Sequence, residues 1–208
     1  MYVPPAFAES RPAVLHELIR ANPFATLVST GDAGAPVVTH LPLLLDADRG
    51  PHGTLVGHVA RVNEHAALIA AGRPVLAIFH GPHAYVSPRW YATSPSVPTW
   101  NYAVVHAAGT PRALSDEDDA RRVLEAVTRA FEPAEGGWTM DGLSPAYVRS
   151  MTAGIVAFEV PIDRLEGKFK LSQNRPAADR AGVVAALSAG AAGDRDTAAL
   201  MASLAARA

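Results

Sequence analysis

The sequence contains no cysteine in 208 residues. Disulfides, thiolate metal centres and cysteine nucleophiles are therefore excluded. A strong charge of either sign is also missing: 18 lysines and arginines face 20 acids, a formal net charge of −2. A chain so close to neutral sets up no overall field toward a polyphosphate, so non-specific nucleic-acid binding is not expected as its main task. No apolar run approaches the ~20 residues of a bilayer span. The opening "MYVPPAFAES" lacks a basic stretch followed by an apolar one, so no secretory signal is read there and a cytoplasmic location is expected. No Gly-x-Gly-x-x-Gly follows a strand pattern, and neither a Walker sequence nor a Gly-x-Ser-x-Gly elbow occurs. No helix pair has the short glycine turn and basic second helix of a DNA-reading motif.

What is present is apolar: 49% of residues are hydrophobic, enough for a sizeable core. The length fits one domain over 1–208, with a helical C-terminal extension from about residue 177. Pro12 to Ala21 reads as a helix with Val14, Leu15, Leu18 and Ile19 on one face. "FATLVST", the turn "GDAG" and "APVVTHLPLLLD" read as a hairpin. Gly53–Ala60 is a third strand, and "RVNEHAALIAAG" a short helix stopped by Gly72. "RPVLAIFHG" and "HAYVS" read as two strands parted by a Gly81-Pro82 turn. "TWNYAVVHAAGTPRAL" is long and β-rich, with a bulge expected at Gly109. Ser115 with Asp118 resembles a capping box opening a helix, and Ser144-Pro145 opens a shorter one. "GIVAFEVPIDRLEGKFKLSQ" returns to β structure, and the alanine-rich tail is helical, broken by "AGAAGD". The expected class is mainly β with peripheral helices (α+β), an antiparallel barrel rather than a βαβ sheet.

Several residues are candidates for chemistry, each with a plainer explanation beside it. His80 and His83 form His-x-x-His across an expected turn, one ligand short of an ordinary metal site, so no metal is assigned. His40, His58 and His106 lie in apolar strands, where a histidine satisfied by local hydrogen bonds is the simpler account. In "THLPLLLD", Pro42 cannot donate to a ladder and marks an edge, an end or a bulge. That leaves the backbone of Thr39, His40 and Leu41 open to a ligand, or merely bent. "GHVARVNEH" places His58, Val59, Ala60, Arg61 and Asn63 where a strand becomes a helix. An arginine beside backbone amides there suits a phosphate, unless it is only a surface arginine. Trp90, Tyr91, Trp100 and Tyr102 bracket a proline-rich loop and would wall a flat ring or simply fill a core. Lys168 and Lys170 alternate, so in a strand they share a face with Ser172, and with Glu166 as a partial counter-charge. Gln173 and Asn174 add neutral donors and acceptors. Together these features fit a small, planar, phosphorylated cofactor better than a polynucleotide.

"MYVPPAF", "NPFATLVS", "THLPLLLD", "GHVARVNEH", "GPHAYVSPRWY", "VPTWNYAVVHAAG" and "GKFKLSQNRPAADRAGV" occur in this order from Met1 to about Leu187. In these blocks the chain resembles the PaiB family, known as FMN-binding negative transcriptional regulators. "VNEH" stands where the family pattern has "ANPH" or similar, and the tail beyond Leu187 is individual. The resemblance implies an FMN-binding split β-barrel, related to pyridoxamine-phosphate oxidase and flavin reductases, and a homodimer with FMN at the subunit interface. It implies the FMN phosphate at Arg61 and the adjacent backbone, and the isoalloxazine ring along Thr39–Pro42. Trp100 and Asn101 would stand nearby, with Lys168 and Lys170 near the phosphate or near a second ligand.

Four functions follow as alternatives. The first is a flavin-binding regulator, with direct DNA binding unsupported by charge or motif. The second is a flavin oxidoreductase using a nicotinamide donor, for which the cofactor supplies the chemistry. The third is a haem-binding barrel using one of the eight histidines. The fourth is a barrel that has lost its cofactor.

Overall fold

The computed structural model describes residues 1–205, with every side chain of that span except that of Glu117. Nine strands and six helices lie among them. The strands are β1 (Ala8–Glu9), β2 (Phe24–Thr30), β3 (Pro36–Pro42), β4 (Leu44–Asp46), β5 (Thr54–Ala60), β6 (Val75–Val86), β7 (Thr99–Gly109), β8 (Arg112–Leu114) and β9 (Ile155–Lys170). The helices are α1 (Pro12–Ala21), α2 (Glu64–Ala70), α3 (Glu117–Phe131), α4 (Pro145–Ala153), α5 (Ala177–Ser188) and α6 (Ala192–Ala205). The sheet runs β3-β2-β6-β7-β9-β5-β4, and both β1 and β8 also pair with β9.

Local sequence explains most of these elements. Pro12 opens α1, and its apolar face puts Leu15 and Ile19 among fully buried side chains. β2 and β3 form the expected antiparallel hairpin, Phe24 opposite Pro42 through Thr30 opposite Pro36. Ala25, Leu27 and Ser29 alternate inward and face Leu41, Thr39 and Val37 across the pair. Gly34 takes a φ of +80° in the connecting turn, a conformation that favours glycine.

Three expectations need correcting. Gly81-Pro82 makes no turn: β6 runs unbroken from Val75 to Val86. Glycine serves there for close packing, because a Cβ on Gly81 would stand 2.9 Å from Leu18 Cδ1 and 3.3 Å from the Ala103 carbonyl. Asp116, not Ser115, caps α3; its carboxylate accepts from the Asp118 amide. Gly109 ends β7, where a Cβ would overlap the Pro161 carbonyl oxygen.

Contacts divide the chain into two compact units. The first comprises Met1–Leu18, His80–Val105 and Glu166–Ala208, the second Ile19–Phe79 and His106–Leu165. In the first, Val86, Val105 and Phe169 are buried from the strands and Val183 and Leu187 from α5. In the second, Leu27, Leu55, Ile69, Phe79 and Phe158 are buried, and α3 adds Ala120 and Val123 against Ala157 of β9. At the start of α5, the buried Asp179 accepts from the amides of Ala92 and Thr93 and from the Thr93 hydroxyl. These donors hold its carboxyl below the ordinary range.

Candidate functional site

The sequence-derived candidates fall into two clusters, one in each unit. In the second unit they gather around β3 and the β5–α2 junction. β3 ends the sheet order and has β2 alone as a strand neighbour, so its outer edge keeps unpaired backbone groups. β4 covers only Thr54, Leu55 and Val56 of β5, so beyond them β5 is paired on the β9 side alone. Glycine lets β5 approach the end of β3: a Cβ on Gly57 would stand 3.2 Å from the Pro42 carbonyl and 2.7 Å from Leu43 Cδ2.

Within this cluster the roles separate. Leu41 and Val59 are buried and belong to the core. Ala60 ends β5 opposite Ile155. His40 points outward, its Nδ1 3.2 Å from the Thr26 hydroxyl and its ring stacked on Phe24. Asn63 caps α2, its Oδ1 accepting from the His65 amide at 2.9 Å. Thr39 Oγ1 lies 3.2 Å from that same Oδ1 and 2.7 Å from His65 Nδ1. A hydroxyl has one proton to give. The arrangement that satisfies all three groups has His65 Nδ1–H donating to Thr39, and Thr39 donating to Asn63. His65 Nε2 is then a bare acceptor, buried and without a partner among the described residues, and His58 Nδ1 is buried without a partner among them as well. Burial pushes both imidazoles below the ordinary histidine range, Glu64 opposing this in part at His65.

Arg61 has work within the chain. Its Nε donates to the Ala153 carbonyl and its Nη2 to the Ile155 carbonyl, both at 2.7 Å. It thereby ties the end of β5 to the α4–β9 junction, beside a cavity of about 350 Å³ that Ser115 and Arg149 also line. Two of the five guanidinium N–H groups are used in this way, and three remain for an anion.

In the first unit Lys168 and Lys170 sit on β9 as expected. The Lys168 ammonium lies 5.3 Å from the centre of the Tyr2 ring and 5.5 Å from that of Tyr102. Lys170 Nζ donates to Thr99 Oγ1 at 2.5 Å and to the Trp100 carbonyl at 2.6 Å, with the Phe7 ring 5.9 Å away. Desolvation first, then the charges of Lys168 and Arg175, push Lys170 below the ordinary lysine range. The expected counter-charge is occupied elsewhere: Glu166 pairs with the Met1 amine at 3.1 Å.

Trp100 is half exposed beside Tyr85, ring centres 6.1 Å apart and edge-on, with His83 at 6.4 Å. Asn101 is fully buried, its amide paired with the Ser172 hydroxyl and 3.4 Å from Met201 Sδ. Ser172 is buried in a left-handed conformation, φ +62°. Gln173 holds that turn, donating to the Phe169 carbonyl and accepting from the Leu171 amide. Among the described residues, no three His, Asp or Glu side chains come together as a metal-holding group.

Sequence reasoning passed over three contributors. His65 carries the orphaned nitrogen, and its signal was the Asn63 cap two residues before it. Tyr2 and Phe7 flank the lysines from the N-terminus, a contact that no local pattern encodes.

Comparison with known proteins bears on the family and the fold. A family model described as "Putative FMN-binding domain" matches residues 1–164. The chain is 33% identical to the Bacillus subtilis "Protease synthase and sporulation protein PAI 2", over 88% of this chain and 87% of that protein. It is 32% identical to an Emericella nidulans protein over 88% and 89% of the two chains. Among solved structures, the flavocytochrome Anf3 of Azotobacter vinelandii superposes with a TM-score of 0.63 at 16% identity, covering 78% of this chain and 69% of that one. An FAD and haem binding protein of Mycobacterium smegmatis gives 0.60 at 21% identity, over 78% and 73%. The shared fold is the split β-barrel.

Proposed function

This chain belongs to the PaiB family of FMN-binding proteins, and we propose that it holds its FMN at Thr39–Pro42 and His58–Asn63 of the second unit. One observation carries this placement. Two buried imidazole nitrogens, His58 Nδ1 and His65 Nε2, find no partner among the described residues. Leaving such groups unmet costs roughly 1–3 kcal/mol each, and a ligand rich in donors and acceptors relieves that cost. The open edge of β3 offers backbone groups to the ring, and Arg61 has N–H groups left for the phosphate. Bound flavin supplies reversible one- or two-electron transfer; the protein's part is to orient it and keep water away. The second anion-receiving feature is the Lys168–Lys170 row: Lys170 donates to the neutral Thr99 hydroxyl and Trp100 carbonyl, and Lys168 lies against the Tyr2 and Tyr102 rings.

The proposed physiological role is negative regulation of transcription, which rests on the family name. The name of the Bacillus relative concerns protease synthesis and sporulation. The proposed form is a cytoplasmic homodimer of one domain. The half-exposed Trp100 and Tyr85 and the exposed Val97 support it as apolar surface for a second copy. Among the described residues no helix is long and apolar enough to cross a membrane.

The decisive experiment is a visible absorbance scan of the purified protein, before and after FMN addition and desalting. Retention of one FMN per chain is expected, and a protein that never retains flavin refutes the reading. Arg61→Ala should weaken FMN about ten- to hundred-fold through lost charge-assisted bonds, and riboflavin, which lacks the phosphate, hardly at all. If Lys168→Met and Lys170→Met produce that pattern and Arg61→Ala does not, the phosphate belongs to the lysine row.

A further inference from the structure

α5 has more apolar surface than the core uses. Its sequence "AADRAGVVAALS" carries only Asp179, Arg180 and Ser188 as polar side chains. Val183 and Leu187 are fully buried in the core of the first unit. A second apolar row, Ala181, Val184 and Ala185, follows i, i+3, i+4 spacing and lines a separate cavity of about 680 Å³. Phe169 and Leu171 from the end of β9 and Met201 and Leu204 from α6 complete its apolar wall. Ala181 and Ala185 are exposed there and Val184 half-buried, so the cavity opens to solvent. This volume lies within the range of ordinary ligand pockets, roughly 300–1,000 Å³.

Among the described residues, the polar rim carries one unmatched charge. Arg11 and Glu9 neutralise one another through a forked contact, Nε at 3.0 Å and Nη2 at 2.6 Å. Arg180 makes a single side-chain bond among the described residues, Nη1 to the Arg175 carbonyl at 2.7 Å. That leaves a guanidinium with most of its fork free at the mouth of an apolar chamber. We propose that this cavity is a second small-molecule site, taking an amphipathic monocarboxylate whose apolar body fills the chamber and whose carboxylate meets Arg180. Arginine is the suitable residue for that contact because its planar fork matches a carboxylate in two parallel hydrogen bonds. The site is independent of the flavin placement above.

The test is titration calorimetry on the full chain, using decanoate and, as an uncharged body of equal length, 1-decanol. Decanoate should bind once per chain and at least tenfold more tightly than decanol. Arg180→Gln should bring that ratio to about one while decanol binding persists. Ala185→Phe, at an exposed helix position, should fill the chamber and weaken both ligands, with FMN retention on the same sample unchanged. Absence of decanoate binding to the wild-type chain overturns the proposal, as does a decanoate preference that survives Arg180→Gln. The ratio in Arg180→Gln decides the matter even where Ala185→Phe fails to fold.

Discussion

At the scale of single residues, His58 and His65 couple stability to pH. Both titrate below the ordinary value of 6.5 because burial disfavours the imidazolium. Above pH 6.5 the folded and unfolded states hold these histidines neutral, and their contribution is fully present. As the pH falls below 6.5 the unfolded chain takes up protons that the folded chain refuses, so stability declines until the lower folded-state values are reached. Melting temperature should therefore fall between pH 7 and pH 5, before most carboxylates titrate. His58→Gln should remove part of that decline, since two groups share it. Identical pH profiles for His58→Gln and the wild type would show that burial of His58 carries no such cost. The same two residues explain why the candidate site was only half legible in the sequence. Arg61 and Lys170 announce themselves by charge, whereas an orphaned nitrogen is a property of the packed interior. Glu166 gives the opposite lesson: strand parity placed it correctly beside the lysines, but the Met1 amine, 165 residues away in sequence, takes its carboxylate.

At the scale of elements, the patterns that read correctly rest on short-range physics. α1 occupies its expected span, Pro12–Ala21, because a proline at the first turn and an apolar stripe are both local signals. The β2–β3 hairpin follows from alternation and a glycine turn, and α5 and α6 from alanine-rich sequence; the expected break over Ala189–Asp194 is shorter, since α6 already begins at Ala192. β6 misreads because Gly-Pro is a turn signal in isolation. Here Leu18 and Ala103 press against Gly81, and only the folded unit reveals that the glycine answers to packing. The α3 cap misreads by one residue, since Ser115 and Asp116 are both good caps and the backbone chooses between them. That choice is measurable. Asp116→Ala should cost about 1 kcal/mol in denaturant unfolding and Ser115→Ala close to nothing. The reverse ranking would return the cap to Ser115.

At the scale of the whole molecule, a net charge of −2 hides an uneven distribution. Residues 1–18, 80–105 and 166–208 carry eight lysines and arginines against six acids; the remainder carries ten against fourteen. The first unit is thus mildly basic and the second acidic. Its densest cationic group, Lys168, Lys170 and Arg175, offers about three contacts to a phosphate backbone. For duplex DNA each neutralised phosphate contributes about −0.9 to the slope of log affinity against log salt. Fluorescence polarisation with a labelled random duplex should therefore give a slope no steeper than about −3, and binding weaker than ~10 μM near physiological salt. A slope beyond about −5, or tight binding to duplex from the chain's own promoter, would require a cationic surface larger than either unit presents alone. A homodimer is the arrangement that could supply one, so the same measurement should then rise and fall with protein concentration across the dimer's dissociation constant. A shallow slope that does not vary with protein concentration instead places any regulatory output in the flavin and in what the flavin-bound protein meets, because such a slope counts too few phosphate contacts to hold an operator.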